Sequence, residues 1–279
     1  MEFLHLENDY IHLSLLKDFA FKITSIVHKK SKEELLFQPR SHYRLPQSRA
    51  LFEDYDTSGL DDCIPTIDSC FIEGLGNFQD HGDVWSKPWE IRSLNGAFEG
   101  RVSLENLPLL FSRKVSLNEN KILLDYSLEN LSDQAYPWLW ALHGLFRYQE
   151  DAILEFPGDF SIQNVQNDEV WNFDIRKMEE VPQKSSYKFY FNQARKEGRA
   201  RILYPSLGLS LSYAYDPSFL PYLGCWITTG GFKGEKNIAI EPTNGFYDSL
   251  KRAISLKKHA TIFGKEKHTW SIQLEIKEL

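Results

Sequence analysis

Long apolar runs are missing from this 279-residue chain. No stretch approaches the roughly 20 consecutive apolar residues of a membrane-spanning helix, so no helical membrane anchor is expected. The first 13 residues, MEFLHLENDYIHL, carry acids and histidines where a secretory signal would carry a basic region and an apolar stretch. Cysteine is scarce: Cys63, Cys70 and Cys225 are an odd number with no C-x-x-C spacing, which excludes a disulfide framework and a cysteine zinc site. A reduced, cytoplasmic protein is expected. A basic excess is also missing. Lys and Arg number 32 against 39 Asp and Glu, a net charge of −7, so binding to nucleic acid or an acidic membrane surface is not expected. The glycine-rich phosphate loops, H-E-x-x-H and G-x-S-x-G are absent as well. His81 and His143 have no tightly spaced partner that would make them metal ligands. What the chain has in quantity is aromatic residues: 7 Trp, 13 Tyr and 19 Phe, within an apolar fraction of 42% that can fill a sizeable core.

The apolar pattern repeats mostly every two residues. It runs through 21–27, 122–129, 201–215 and 269–276, with turn clusters at 118–120, 130–133, 157–159 and 230–234. Many short, β-branched strands predict an all-β protein, a large antiparallel β-sandwich. Two helical pieces are expected. One is a single turn at 31–36. The other lies at 243–255, after Pro242, with Asp248 early and Lys251 and Arg252 late. No repeat, low-complexity tract or linker divides the chain, so 1–279 reads as one domain. Residues 37–62 form a long polar excursion with Arg40, Arg44 and Arg49, and loops of that length often carry function.

Three constellations carry chemistry. The first is QDHGDVW at 79–85, followed by Trp89. His81 before Gly82 offers a donor with close backbone approach, and the tryptophans offer apolar plates. A loop histidine beside core tryptophans remains the other reading. The second is YPWLWALHGLF at 136–146. As a strand it puts Trp138, Trp140 and Leu142 on one face and Leu139, Ala141 and His143 on the other. His143 would then be partly desolvated and held neutral, as a catalytic or a core histidine. The third is IAIEPTNG at 238–245. Burying a carboxylate is costly unless it is paired or used. Pro242 restricts Glu241 to extended backbone and so holds the acid at a strand end. A solvated acid at a strand boundary is the alternative.

In this order, together with LPYLGCW at 220–226, the motifs resemble those of the aldose 1-epimerase (galactose mutarotase-like) family. The likeness runs over nearly the whole chain, including the strand from Arg113 and the Leu-Glu-Asn at 128–130. It implies a galactose mutarotase-like supersandwich whose concave face holds a sugar. It implies Glu241 as general base, His143 as general acid and His81 as a sugar-binding histidine. Trp85 and Trp226 would offer flat surfaces to the sugar. The chain departs from the family where many relatives have an arginine shortly after the His-Gly pair; here Val84 and Trp85 stand there. It departs again where many relatives have a sugar-binding aspartate; here Tyr187 and Lys188 stand there. Lys188 thus suggests a sugar carrying a carboxylate or phosphate.

The expected activity is anomer interconversion by ring opening. One group removes the C1 hydroxyl proton and another protonates the ring oxygen, so no metal or cofactor is expected. The expected partner is a small sugar or sugar derivative, and the chain is expected to be a monomer or homodimer. The alternative is a non-catalytic carbohydrate-binding or regulatory module on the same fold. A lyase or hydrolase accessory domain is a third, weakened by the lack of a second domain.

Overall fold

A computed structural model describes residues 1–39, 42–47, 50–55, 57–165 and 171–279. Two large antiparallel sheets face each other. The first has its strands in the order Phe3–Glu7, Ile11–Leu16, Ile23–His28, Leu60–Cys63, Ala141–Gly144, Lys236–Thr243, Tyr222–Thr229, Ser186–Phe191 and Ile162–Asn164. Two short strands, Glu33–Glu34 and Phe146–Arg147, pair beside this path. The second sheet runs Ile153–Glu155, Arg199–Tyr204, Leu209–Tyr215, Lys267–Glu278, Lys121–Asn130, Leu109–Asn118, Ala97–Ser103 and Glu90–Leu94. Among the described residues no helix is long and apolar enough to cross a membrane.

Alternation explains the second sheet. In Lys121–Asn130, Ile122, Leu124, Tyr126 and Leu128 point into the core while their neighbours face outward. The central strands of the first sheet behave differently. Leu60–Cys63 and Ala141–Gly144 are buried at every position, and Lys236–Thr243 at every position after the first. One face of these strands meets the sandwich core, through Leu142, Ile238 and Ile240. The other face is covered by loops, and that covered face holds the site.

An ion pair crosses the core. Arg113 of the second sheet is fully buried and places Nη1 2.7 Å from Oδ2 of Asp62 in the first. The Arg113 Nη2 donates to the Phe21 carbonyl, and the Trp140 indole donates to Asp62 Oδ1 at 3.0 Å. Burial pushes the Asp62 carboxyl up to about 6, against the pull of Arg113.

The helical expectations are corrected. Residues 31–36 make a turn and the two-residue strand Glu33–Glu34, because the Glu34 carboxylate accepts from the Ile26 and Leu36 amides and ties the segment to the sheet. The helix in 243–255 is only Leu250–Ser255; Glu241, Pro242 and Thr243 complete a strand paired with Tyr222–Thr229. The stretch 201–215 is two strands, Arg199–Tyr204 and Leu209–Tyr215, separated by a 3-10 turn at Pro205–Leu207 that ends on left-handed Gly208. Likewise 136–146 is not one strand: Tyr136–Trp138 pairs with Ala260–Ile262, and Ala141–Gly144 joins the large sheet. The two faces nevertheless fall as expected. Trp138, Trp140 and Leu142 enter the main core, while Leu139 and Ala141 pack in a separate cluster. Arg44 donates to the Asp54 carbonyl at 2.5 Å; Arg40 and Arg49 lie outside the described residues.

Candidate active site

Strand register lines up the site. His143 stands opposite Asp61, Glu241 opposite Gly224, and Lys188 opposite Trp226. Directly opposed residues share a face, so His143 and Glu241 project on the covered side while Ile238 and Ile240 enter the core. They border a cavity of about 650 Å³, within the usual size of a small-molecule site.

The His-Gly turn closes one side. His81 and Gly82 both adopt positive φ, 58° and 74°. A Cβ on Gly82 would come within 2.1 Å of the Ile64 carbonyl oxygen, so only glycine lets the turn approach the Ile64 backbone this closely. His81 Nδ1 is 3.0 Å from Asp80 Oδ2. Its ring stacks on Phe52, with centroids 3.9 Å apart, and meets the His143 ring edge-to-face at 4.9 Å. Phe52 comes from the short 3-10 turn Phe52–Asp54, inside the long excursion.

The opposite side is ionic. Lys188 Nζ donates to Glu241 Oε2 and lies 3.4 Å from Asp248 Oδ1. The Tyr190 hydroxyl donates to the same Asp248 oxygen at 2.5 Å. The Asp248 carbonyl accepts from the Ile67 and Asp68 amides at 2.9 and 3.0 Å, and Ile67 in turn accepts from the His81 amide. The loops carrying Asp248 and His81 are therefore fastened to each other.

The buried polar atoms with no hydrogen-bond partner among the described residues include Oε1 of Glu241 and Nδ2 of Asn237. Both side chains line the cavity and are 1% exposed. A buried acceptor and a buried donor without partners, on side chains that border a cavity, call for an explanation, and a bound ligand is one. Burial raises the Glu241 carboxyl, with Lys188 opposing it. Burial also holds His143 well below the usual imidazole value, helped by the nearby His81, Lys188 and Lys22. Burial works against the charge of Lys188, but Asp248 and Glu241 outweigh it and push its pKa up.

Of the residues singled out from sequence, His81, His143, Lys188, Trp226 and Glu241 line one cavity. Trp85 is not among its lining residues. It is buried behind Phe52, edge-on at 5.1 Å, and its indole donates to the Asp80 carbonyl. Trp226 does line it, with its indole nitrogen donating to Asn237 Oδ1 at 3.1 Å. Sequence reasoning missed Phe52, Asn237 and Asp248. Asp248 reads as a helix-start acid, yet it precedes Leu250–Ser255 and turns into the cavity. Asn237 was legible in principle, four residues before Glu241 and so on the same strand face. Phe52 carries no local signal. Among the described residues no three His, Cys, Asp or Glu side chains form a metal-ligand set.

No protein-family model matches the chain, and no curated protein matches it. Solved structures do. A protein from Synechocystis superposes with a TM-score of 0.78 at 17% identity, over 100% of this chain and 96% of that one. A galactose mutarotase-like protein from Lactobacillus casei gives 0.73 at 13% identity, over 99% and 100%. A putative aldose 1-epimerase from Escherichia coli gives 0.73 at 14%, over 100% and 99%. The chain has the galactose mutarotase-like fold.

Proposed function

We propose that this chain is an aldose 1-epimerase-like isomerase that interconverts the α and β anomers of an uncharged sugar. The observation that carries the reading is buried Glu241, whose Oε1 has no partner among the described residues, bordering the same cavity as His143. Glu241 takes the C1 hydroxyl proton. His143 delivers a proton to the ring oxygen, the C1–O5 bond breaks, the C1–C2 bond rotates, and the steps reverse on the other face. Each proton transfer of this kind contributes about 10²–10⁴-fold. His81 and Asn237 supply hydrogen bonds to hydroxyls, and Trp226 supplies an apolar surface for the sugar's C–H face.

The choice of an uncharged sugar follows from the cavity's charges. Lys188 faces two carboxylates, and the other charged lining residues include Glu53, Asp68, Asp80 and Glu235, all acidic. A phosphate or carboxylate there would meet mostly acidic side chains among the described residues. The anionic sugar suggested by Lys188 alone is therefore set aside. The test is two-dimensional exchange NMR of neutral sugars, beside their phosphates and uronic acids. Catalysed exchange on a neutral sugar supports the reading. Exchange confined to anionic sugars refutes the charge argument. Binding without exchange on any sugar favours a carbohydrate-binding module.

A further inference from the structure

We infer that Lys188 is a positioning residue for Glu241: it pins one carboxylate oxygen, leaves the other unpaired beside the cavity and favours the ionised form. This rests on the reading of Glu241 as the proton acceptor. Lys188 and Glu241 lie on strands separated by Tyr222–Thr229, across roughly two strand spacings of about 4.8 Å each. The residue opposite Glu241 on that intervening strand is Gly224. A Cβ there would stand 3.0 Å from the Tyr190 ring and 3.3 Å from Glu241 Oε2. Without that side chain, the lysine stem crosses the strand and its ammonium reaches the acid. Asp248 holds the ammonium from the far side at 3.4 Å and is itself fixed by Tyr190. The contact engages Oε2 and leaves Oε1 without a partner among the described residues.

The arrangement solves an electrostatic problem. A carboxylate this deeply buried favours its protonated form, which cannot act as a base. An adjacent ammonium opposes that shift and favours the ionised form. Lys188 and Tyr190 face Glu241 from one strand and Asp248 from the following loop. His81 acts from the His-Gly turn, Cys63 from its own strand, Tyr213 from the second sheet, and Cys225 from the intervening strand. His143 borders the same cavity. Among the described residues named here, Lys188 is the one lysine or arginine. Asp248 is the acid in it that opposes ionisation of Glu241.

These two charges make predictions of opposite sign. The probe is the infrared carboxyl band of Glu241, assigned by its loss in Glu241→Gln and titrated against pH without ligand. In Lys188→Met its midpoint should rise by at least about one pH unit. In Asp248→Asn, which keeps an acceptor for Tyr190, it should fall. Lys188→Arg should stay near wild type. Where exchange is catalysed, the acidic limb of kcat/KM should move with the band. Below the limb, Lys188→Met should then be at least tenfold slower, with recovery at high pH.

An unmoved midpoint in Lys188→Met, or an equal loss of rate at every pH, overturns the assignment. If Lys188→Met does not fold, an unmoved or raised midpoint in Asp248→Asn overturns it instead. A wild-type protein without exchange on any sugar refutes the proposed function, while the carboxyl titration still decides the role of Lys188.

Discussion

Replacing Glu241 with glutamine tests the proposed chemistry, and the structure dictates how the amide must sit. Lys188 Nζ donates to Oε2, so the amide oxygen must take that position. The amide NH2 then falls at the position of the unpartnered Oε1. The C1 hydroxyl loses an acceptor and meets a donor, and it can answer by accepting through its own oxygen. Ground-state affinity should therefore drop modestly, by less than about tenfold, the worth of one neutral hydrogen bond of about 0.5–1.5 kcal/mol. The proton transfer has no such substitute. Its loss should slow exchange by about 10²–10⁴-fold, or about 2.7–5.4 kcal/mol in the barrier. Exchange NMR between anomers at saturating sugar reads the second effect, and calorimetry with the same sugar reads the first. Wild-type exchange in Glu241→Gln would refute its role as base. A loss of binding as large as the loss of rate would show that Glu241 only holds the sugar.

Other outcomes follow from neighbouring groups. His143 is held well below the usual imidazole value, so its proton-donating form is scarce at neutral pH and grows as pH falls. Exchange should thus rise from pH 8 toward the acid side until Glu241 protonates, and His143→Asn should be slow and lose this rise; a rate flat over pH 5–8 in the wild type counts against His143 as the acid. Arg113→Met leaves Asp62 buried without its cation and should cost about 3–5 kcal/mol in urea unfolding, while adding Asp62→Leu should recover much of it. Equal stability of Arg113→Met and wild type would show that the pair contributes nothing. Gly82→Ala forces a side chain at φ 74° and 2.1 Å from the Ile64 carbonyl oxygen, so thermal unfolding should report a loss of at least about 2 kcal/mol.

The sandwich was legible because its second sheet obeys simple alternation, as in Lys121–Asn130, where one face is dry and the other wet. The central strands of the first sheet hide that signal. Leu60–Cys63 is buried on both faces yet contains Asp61 and Asp62, since each acid has a buried cation within reach. In the site, Glu241 and His143 stood out because a polar group following an apolar strand needs a reason. Lys188 stood out as a departure, but its partner could not be read from sequence: Glu241 is 53 residues away, across an intervening strand. Trp85 looked like a platform because it follows the His-Gly pair, whereas the positive φ of His81 and Gly82 turns the chain and leaves the indole behind Phe52.

The adjacent acids Asp61 and Asp62 also act as a registration key for the strand that carries His143. Asp61 pairs with Lys22 at 2.9 Å on the covered face, and Asp62 with Arg113 at 2.7 Å in the core. Sliding Leu60–Cys63 by one residue would turn each acid to the opposite face and bring Leu60 or Cys63 before a buried cation. Two charges would be stranded at once, at several kcal/mol each. His143 aligns with Asp61 in the ladder. The depth at which the imidazole enters the cavity is thereby proofread by two ion pairs, one of which, through Lys22, also bears on its charge.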